Sequence, residues 1–186
     1  MILKFLKDML PYMLLAVPAI IVWRTIAAYI ISKQGKVTTL YHEVGLALFV
    51  IFLVGLASQT IVPESSIMDT NSFNINMIPF KGINTAYRDI IYNGSLDYLM
   101  ISIIGNIVIF MPIGIFVPLL YKAACSKVCI IGFCSSLFIE LCQMPLSRWT
   151  DIDDLWLNTL GVFLGYIIYV FLRNRFPIFV KRFRLK

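Results

Sequence analysis

Glu140 and Gln143 stand three residues apart in an apolar run, a spacing that sets both on one face of a helix. Arg148 follows, and then Asp151, Asp153, Asp154 and Asn158. At helical spacing Asp151, Asp154 and Asn158 share a face, while Asp153 points elsewhere. An earlier apolar run contributes Asn106. Glu140, a carboxyl in apolar surroundings, is the candidate general acid or base. Arg148 can pair with a phosphate or carboxylate, and the Asn and Gln amides suit sugar hydroxyls. Asp151 and Asp154 are weak candidates for a hard divalent cation, completed by Asn158 or water. Each residue also has a structural reading: aspartates cap helix starts, and asparagines glue helices together. Glu140 weighs against a purely structural reading of the set. An ionisable group in an apolar run is costly without a partner or a purpose, and Arg148 is its natural counter-ion. Asn106, Glu140, Gln143, Arg148, Asp151, Asp154 and Asn158 are therefore taken as one candidate ligand-binding pocket.

The elements that must position these residues are membrane helices. Sixty percent of the residues are hydrophobic and 14% are charged, with a mean hydropathy of +0.86. Soluble domains carry about 25% charged residues, so a water-soluble fold is excluded. Five stretches approach the ~20 apolar residues that a spanning helix needs: 10–32, 44–62, 98–121, 128–145 and 155–172. The fold class is all-α, a polytopic membrane bundle of about five transmembrane helices. At 1.5 Å per residue, Glu140 then lies about 7 Å, and Asn106 about 12 Å, inside its span. Residues 1–9 read as an interfacial start or an extension of the first span. No small-residue cleavage site ends them, which argues against a removable signal peptide. The chain divides into an additional N-terminal helix with its loop (1–43), a four-helix membrane domain (44–172) and a basic tail (173–186). The 63–97 loop is too long for a plain connection, and Ile75, Met77, Ile78 and Phe80 predict that its middle folds back onto the membrane or the bundle.

Charge sets the expected orientation. With five spans the termini lie on opposite sides. Lys4, Lys7, Lys81, Arg88 and Arg148 fall on the N-terminal side. Lys33, Lys36, Lys122, Lys127 and the six basic residues of the tail fall on the other. The excess of positive charge predicts a cytoplasmic C-terminus in a multi-pass cell-membrane protein, with the polar cluster extracytoplasmic. The basic tail is nearer to anionic lipid headgroups than to any nucleic acid, so membrane lipids are its expected partner. Arg24 interrupts the first span and reads as structural, snorkelling or meeting a polar partner. His42 and Glu43 fall on the cytoplasmic side, apart from the pocket. Cys125, Cys129, Cys134 and Cys142 contain no C-x-x-C spacing and read as reduced packing residues. Nothing in the sequence identifies a cofactor or an oligomeric state.

Four motifs in order over residues 76–166 resemble the VanZ-like family. Asn76-Met77-Ile78-Pro79-Phe80 is similar to its Asn-x-x-Pro-Phe element. Asn106 to Gly114 resembles its Asn, Phe, Pro, Gly signature, and Glu140-Leu141-Cys142-Gln143 its Glu-x-x-Gln pair. Arg148 to Asp154, with Asn158-Thr159-Leu160-Gly161 and Gly165-Tyr166, resembles its most distinctive segment. The first span lies outside the resemblance. Val162 stands where many relatives carry a second glycine, and Ser147 replaces the glycine often found before the arginine. The resemblance implies an accessory role in low-level resistance to the glycopeptide teicoplanin. It supplies no mechanism.

Three functions follow from the residues. The leading one is a binding protein whose outward polar pocket engages a lipid-linked or glycan headgroup; a cell-wall precursor, a teichoic acid or the glycopeptide itself would be the partner. The second is a membrane-embedded enzyme on an envelope lipid or glycan with Glu140 as acid or base, although no strong nucleophile stands out. The third is a small transporter, against which the lack of an internal repeat and the one-sided polar cluster argue.

Overall fold

The computed structural model describes residues 2–33, 38–60, 75–144 and 150–184. Its architecture is an all-α bundle in which five helices are long and apolar enough to cross a membrane. α1 (Ile2–Lys33) and α2 (Leu40–Thr60) form an antiparallel pair at one side. α1 runs unbroken through Pro11 and Pro18, so the start of the chain is an extension of the first span. Its apolar outer face includes Leu14, Leu15, Ile21 and Trp23, which suits contact with lipid tails. α2 starts at Leu40, four residues before the predicted 44, which draws His42 and Glu43 into the helix. That change supplies the partner of Arg24: its guanidinium grips Glu43 with two bonds of 2.8 and 2.9 Å.

Residues 75–98 fold back onto the bundle, but Met77, Ile78 and Phe80 stay exposed, and bonds to Asp151 and Asp153 hold the segment there. β1 (Ile75–Asn76) leads to α3 (Lys81–Arg88) and a π-helical turn at Asp89–Asn93. A second π-helical turn, Leu99–Ile104, opens the third span and runs into α4 (Gly105–Tyr121). α5 (Cys125–Gln143), β2 (Thr150–Asp151) and α6 (Ile152–Arg175) follow. β1 and β2 pair in parallel for two residues each, Ile75 opposite Thr150 and Asn76 opposite Asp151. After α6, Pro177 occupies the first turn of a short helix, α7 (Pro177–Arg182), a position where its missing N–H is harmless.

α4 and α6 form the tightest seam. A Cβ on Gly114 would run into the backbone of Val162, and one on Gly161 into the backbone of Ile107. Without a hydrophobic drive between helices in lipid, such close approach through small residues supplies the packing. Val162, fully buried, fills the space left by Gly132 on α5. The core extends from this seam: Phe110, Ile113, Val117 and Leu120 of α4 meet Val128, Leu46, Phe49 and Leu56 from α5 and α2. The seam also fixes the relative height of Asn106 and Asp154, one near the start of each helix.

Candidate functional site

The first turn of α6 is built from its carboxylates. Asp151 is the N-cap, and its Oδ1 accepts the Asp153 N–H at 3.0 Å, satisfying a helix-start donor. The same oxygen accepts from Asn76 Nδ2 at 2.9 Å, which ties β1 to β2 through side chains as well as backbone. Asp154 faces inward and accepts from Asn106 Nδ2, which also donates to Ser102 O at 3.0 Å in the preceding π-helical turn. One turn on, Asn158 donates to Ser136 Oγ of α5 at 2.8 Å. Ser136 and Glu140 share a face of α5, as Asp154 and Asn158 share a face of α6. The two faces meet, and Glu140 lies within electrostatic range of both Asp154 and Asp151.

Glu140 is 4% exposed, and its Oε2 is buried without a hydrogen-bond partner. Asn158 Oδ1 and Thr150 Oγ1, at the same end of the bundle, are also buried and unpartnered. Buried polar atoms are nearly always satisfied, so three at one helix end are a departure that needs a reason. Among the described residues no Lys or Arg forms an ion pair with Glu140, Asp151, Asp153 or Asp154. The site is therefore rich in acceptors, and its complement is a donor such as a hydroxyl or ammonium group.

The residues singled out by spacing do not all arrive together. Asn106, Glu140, Asp151, Asp154 and Asn158 gather at this end. Gln143 turns toward α2, where its Nε2 donates to Thr60 O at 3.0 Å. Arg148, the expected counter-ion of Glu140, lies outside the described residues. As for a cation, Asp151 Oδ1 is occupied by two donors, and Asp154 Oδ1 is bonded to Asn106. Among the described residues no group of three or more His, Cys, Asp or Glu side chains is arranged to hold a metal ion.

Spacing alone passes over Asp153, which has the largest structural part. It is 2% exposed and accepts from Phe80 N at 2.7 Å, Gly82 N at 2.8 Å and Trp156 Nε1 at 3.0 Å. Phe80 and Gly82 stand at the start of α3, so a carboxylate on α6 caps a helix 71 residues earlier in the chain. Gly82 permits this, since a Cβ there would sit 3.2 Å from Asp153 Oδ2. Phe80 adopts a left-handed backbone (φ 63°), which costs an L-residue about 1–2 kcal/mol, and the bond to Asp153 offsets it. Tyr98 lies beside the same three aspartates and hydrogen-bonds Ser102. Of these residues Asn76 and Phe80 carried a signal, as the first and last members of the Asn-x-x-Pro-Phe element, and Asp153 lies in the Arg148–Asp154 segment. Ser136, one turn from Glu140, was readable only as its helical neighbour.

No curated protein and no solved structure matches the chain. A family model described as VanZ/LLP1 matches residues 44–173, which is more than half of the sequence. That match takes in α2 to α6, and with them the cap and every residue of the polar end; α1 stands outside it. By this match the chain belongs to the VanZ/LLP1 family.

Proposed function

We propose that the Glu140 end of this membrane protein binds a headgroup of the cell envelope, a lipid-linked or glycan group presenting hydroxyl or ammonium donors. The observation that carries this reading is the set of buried, unpartnered oxygens of Glu140, Thr150 and Asn158. A ligand's donors would satisfy all three, and leaving such atoms unbonded costs about 1–3 kcal/mol each. Arg148, by its place in the sequence before β2, would meet the phosphate or carboxylate of the same headgroup. The charge count along the chain favours an extracytoplasmic position for this end, where such headgroups are found. An accessory role in glycopeptide resistance is the physiological form that the reading takes.

The test is teicoplanin susceptibility of a sensitive Gram-positive host carrying wild type, Glu140→Gln or Asp154→Asn at matched membrane levels. Wild type is expected to protect and both variants to lose protection. Equal protection by the variants would make the polar end purely structural and sink the proposal. If wild type itself does not protect, the resistance role is dropped. Headgroup binding is then decided by crosslinking a photoreactive lipid-linked disaccharide to wild type and to Glu140→Gln. An enzyme with Glu140 as acid or base is separated from a binding protein by that same probe: it would be recovered chemically changed rather than merely bound.

A further inference from the structure

The end of the bundle opposite Glu140 carries a second cluster that the proposed function does not use. After α6 the chain turns at Phe176 and lays α7 across the ends of α2, α4 and α6, with Val180 only 1% exposed. Thr39 Oγ1 donates to Arg182 O at 2.6 Å, and the His42 ring donates through Nδ1 to Phe183 O at 2.8 Å. These bonds bring Arg184 back over α6, where its Nη2 donates to the Tyr169 hydroxyl at 3.1 Å. Arg173 lies over the ring of the same tyrosine, 5.8 Å from its centroid.

Two guanidinium groups meet one tyrosine, Arg173 over its ring and Arg184 at its hydroxyl, and no carboxylate among the described residues pairs with either. Among the described residues Glu43 is the one carboxylate at this end, and both its oxygens are held by Arg24. Arg184 Nε is buried without a hydrogen-bond partner. The Tyr169 hydroxyl, 3% exposed as a residue, accepts the Arg184 bond and keeps its own proton for another acceptor. A buried N–H and a phenol proton thus lack an acceptor among the described residues, and a second guanidinium stands over the same tyrosine ring.

We infer that Arg173, Arg184 and Tyr169 form a site for a phosphate group, supplied by an anionic lipid headgroup. Guanidinium groups bind phosphate oxygens through several parallel N–H bonds, which suits two of them beside a hydroxyl donor. The lipid source follows from the surroundings. Phe176, just before α7, and Ile178 and Phe179 on it stand exposed at this end, as on a short helix lying in the headgroup layer with its apolar side chains toward the acyl region. The site is independent of the Glu140 end and would survive the failure of that reading.

The test is a thermal-shift titration of the full-length protein in detergent. The additives are phosphatidylglycerol, phosphatidylcholine, or inorganic phosphate at equal concentration. Phosphatidylglycerol is expected to raise the melting temperature, and phosphatidylcholine to leave it unchanged. The half-maximal phosphatidylglycerol concentration should rise about tenfold in Arg173→Gln and in Arg184→Gln, the loss expected for one charged hydrogen-bonding partner. Lys127→Gln, which removes a charge from the same end, should stay within about twofold. Equal responses in all three variants would show diffuse charge attraction and overturn the site. A full shift with inorganic phosphate alone would overturn the lipid as its source. Should Arg184→Gln fail to fold, the exposed Arg173 decides the question by itself.

Discussion

At the Glu140 end of the bundle, residues 75–98 fold over the helix ends and are held by side-chain carboxylates. At the opposite end α7 folds over and is held through its own backbone carbonyls. Asp151 and Asp153 accept the bonds that fix the first cap, while the carbonyls of Arg182 and Phe183 accept those that fix the second. What each end leaves over differs in kind. The first leaves the oxygens of Glu140 and Asn158 and the Thr150 hydroxyl, a group that can donate as well as accept; the second leaves a donor, Arg184 Nε. Among the described residues the second end pairs its one carboxylate, Glu43, with Arg24, whereas no cation pairs with the carboxylates of the first. Closing a helix end and satisfying its polar groups are thus separate tasks here. Both ends achieve the first, and among the described residues each lacks a partner of opposite character for the second.

The largest effect is expected where a carboxylate holds the cap. Asp153→Ala removes the acceptor of two backbone N–H groups and one indole N–H, all buried or half-buried. Orphaning them should cost roughly 3–5 kcal/mol, partly recovered by water reaching the cap. Unfolding of the purified protein in detergent measures the cost, and limited proteolysis should locate new cleavage in residues 75–98. A loss below about 1 kcal/mol, with an intact cap, would mean that the two-residue β pair and Asn76 hold it alone. The two ends would then be closed in the same way.

The ion pair at the other end sets the middle of the scale. Arg24 and Glu43 are linked by two bonds, with side chains 12% and 21% exposed. A double-mutant cycle with Arg24→Met and Glu43→Gln should return a coupling of about 1–2 kcal/mol. Glu43→Gln alone should be the more damaging single change, because it leaves a guanidinium uncompensated beside apolar helix surface. A coupling near zero would remove the contrast between a neutralised end and an unneutralised one.

The spans were legible in the sequence because lipid, unlike water, makes no demand that apolar side chains be hidden. All five helices coincide closely with the runs of apolar residues for that reason. Where a helix began in polar residues the reading fell short. α2 starts at Leu40 because Thr39 caps it, its Oγ1 accepting the His42 N–H, and the Arg24–Glu43 pairing then joins two helices whose contact no local pattern announces. By helical spacing Asp153 points away from Asp154 and the pocket. That direction is what carries it to Phe80 and Gly82, and only the β1–β2 pairing brings those residues within reach. The tail offered its charges plainly, but not its fold. Val180 and Phe183 are two apolar residues among many, and the groove that receives them is made by three helices. Gln143 shares a face with Glu140 by spacing, yet near the end of α5 that face passes α2, whose last carbonyl takes the amide.

The smallest change in stability is expected at Glu140, and it separates the two ends most sharply. Glu140→Gln keeps the shape of the side chain and removes a buried carboxyl, one oxygen of which has no partner. Such a group contributes little to the fold, because its burial is not offset by a full set of bonds. The variant should therefore unfold no more than about 1 kcal/mol below wild type, and it can unfold above it. Glu43→Gln, the same chemical change at the satisfied end, should unfold clearly below. Equal losses would mean that Glu140 is bonded into the fold as firmly as Glu43. Loss of protection against teicoplanin would then report a damaged protein rather than an empty site. Retained stability together with lost protection leaves the Glu140 carboxyl with no role in holding the bundle, and so ties it to what the bundle binds.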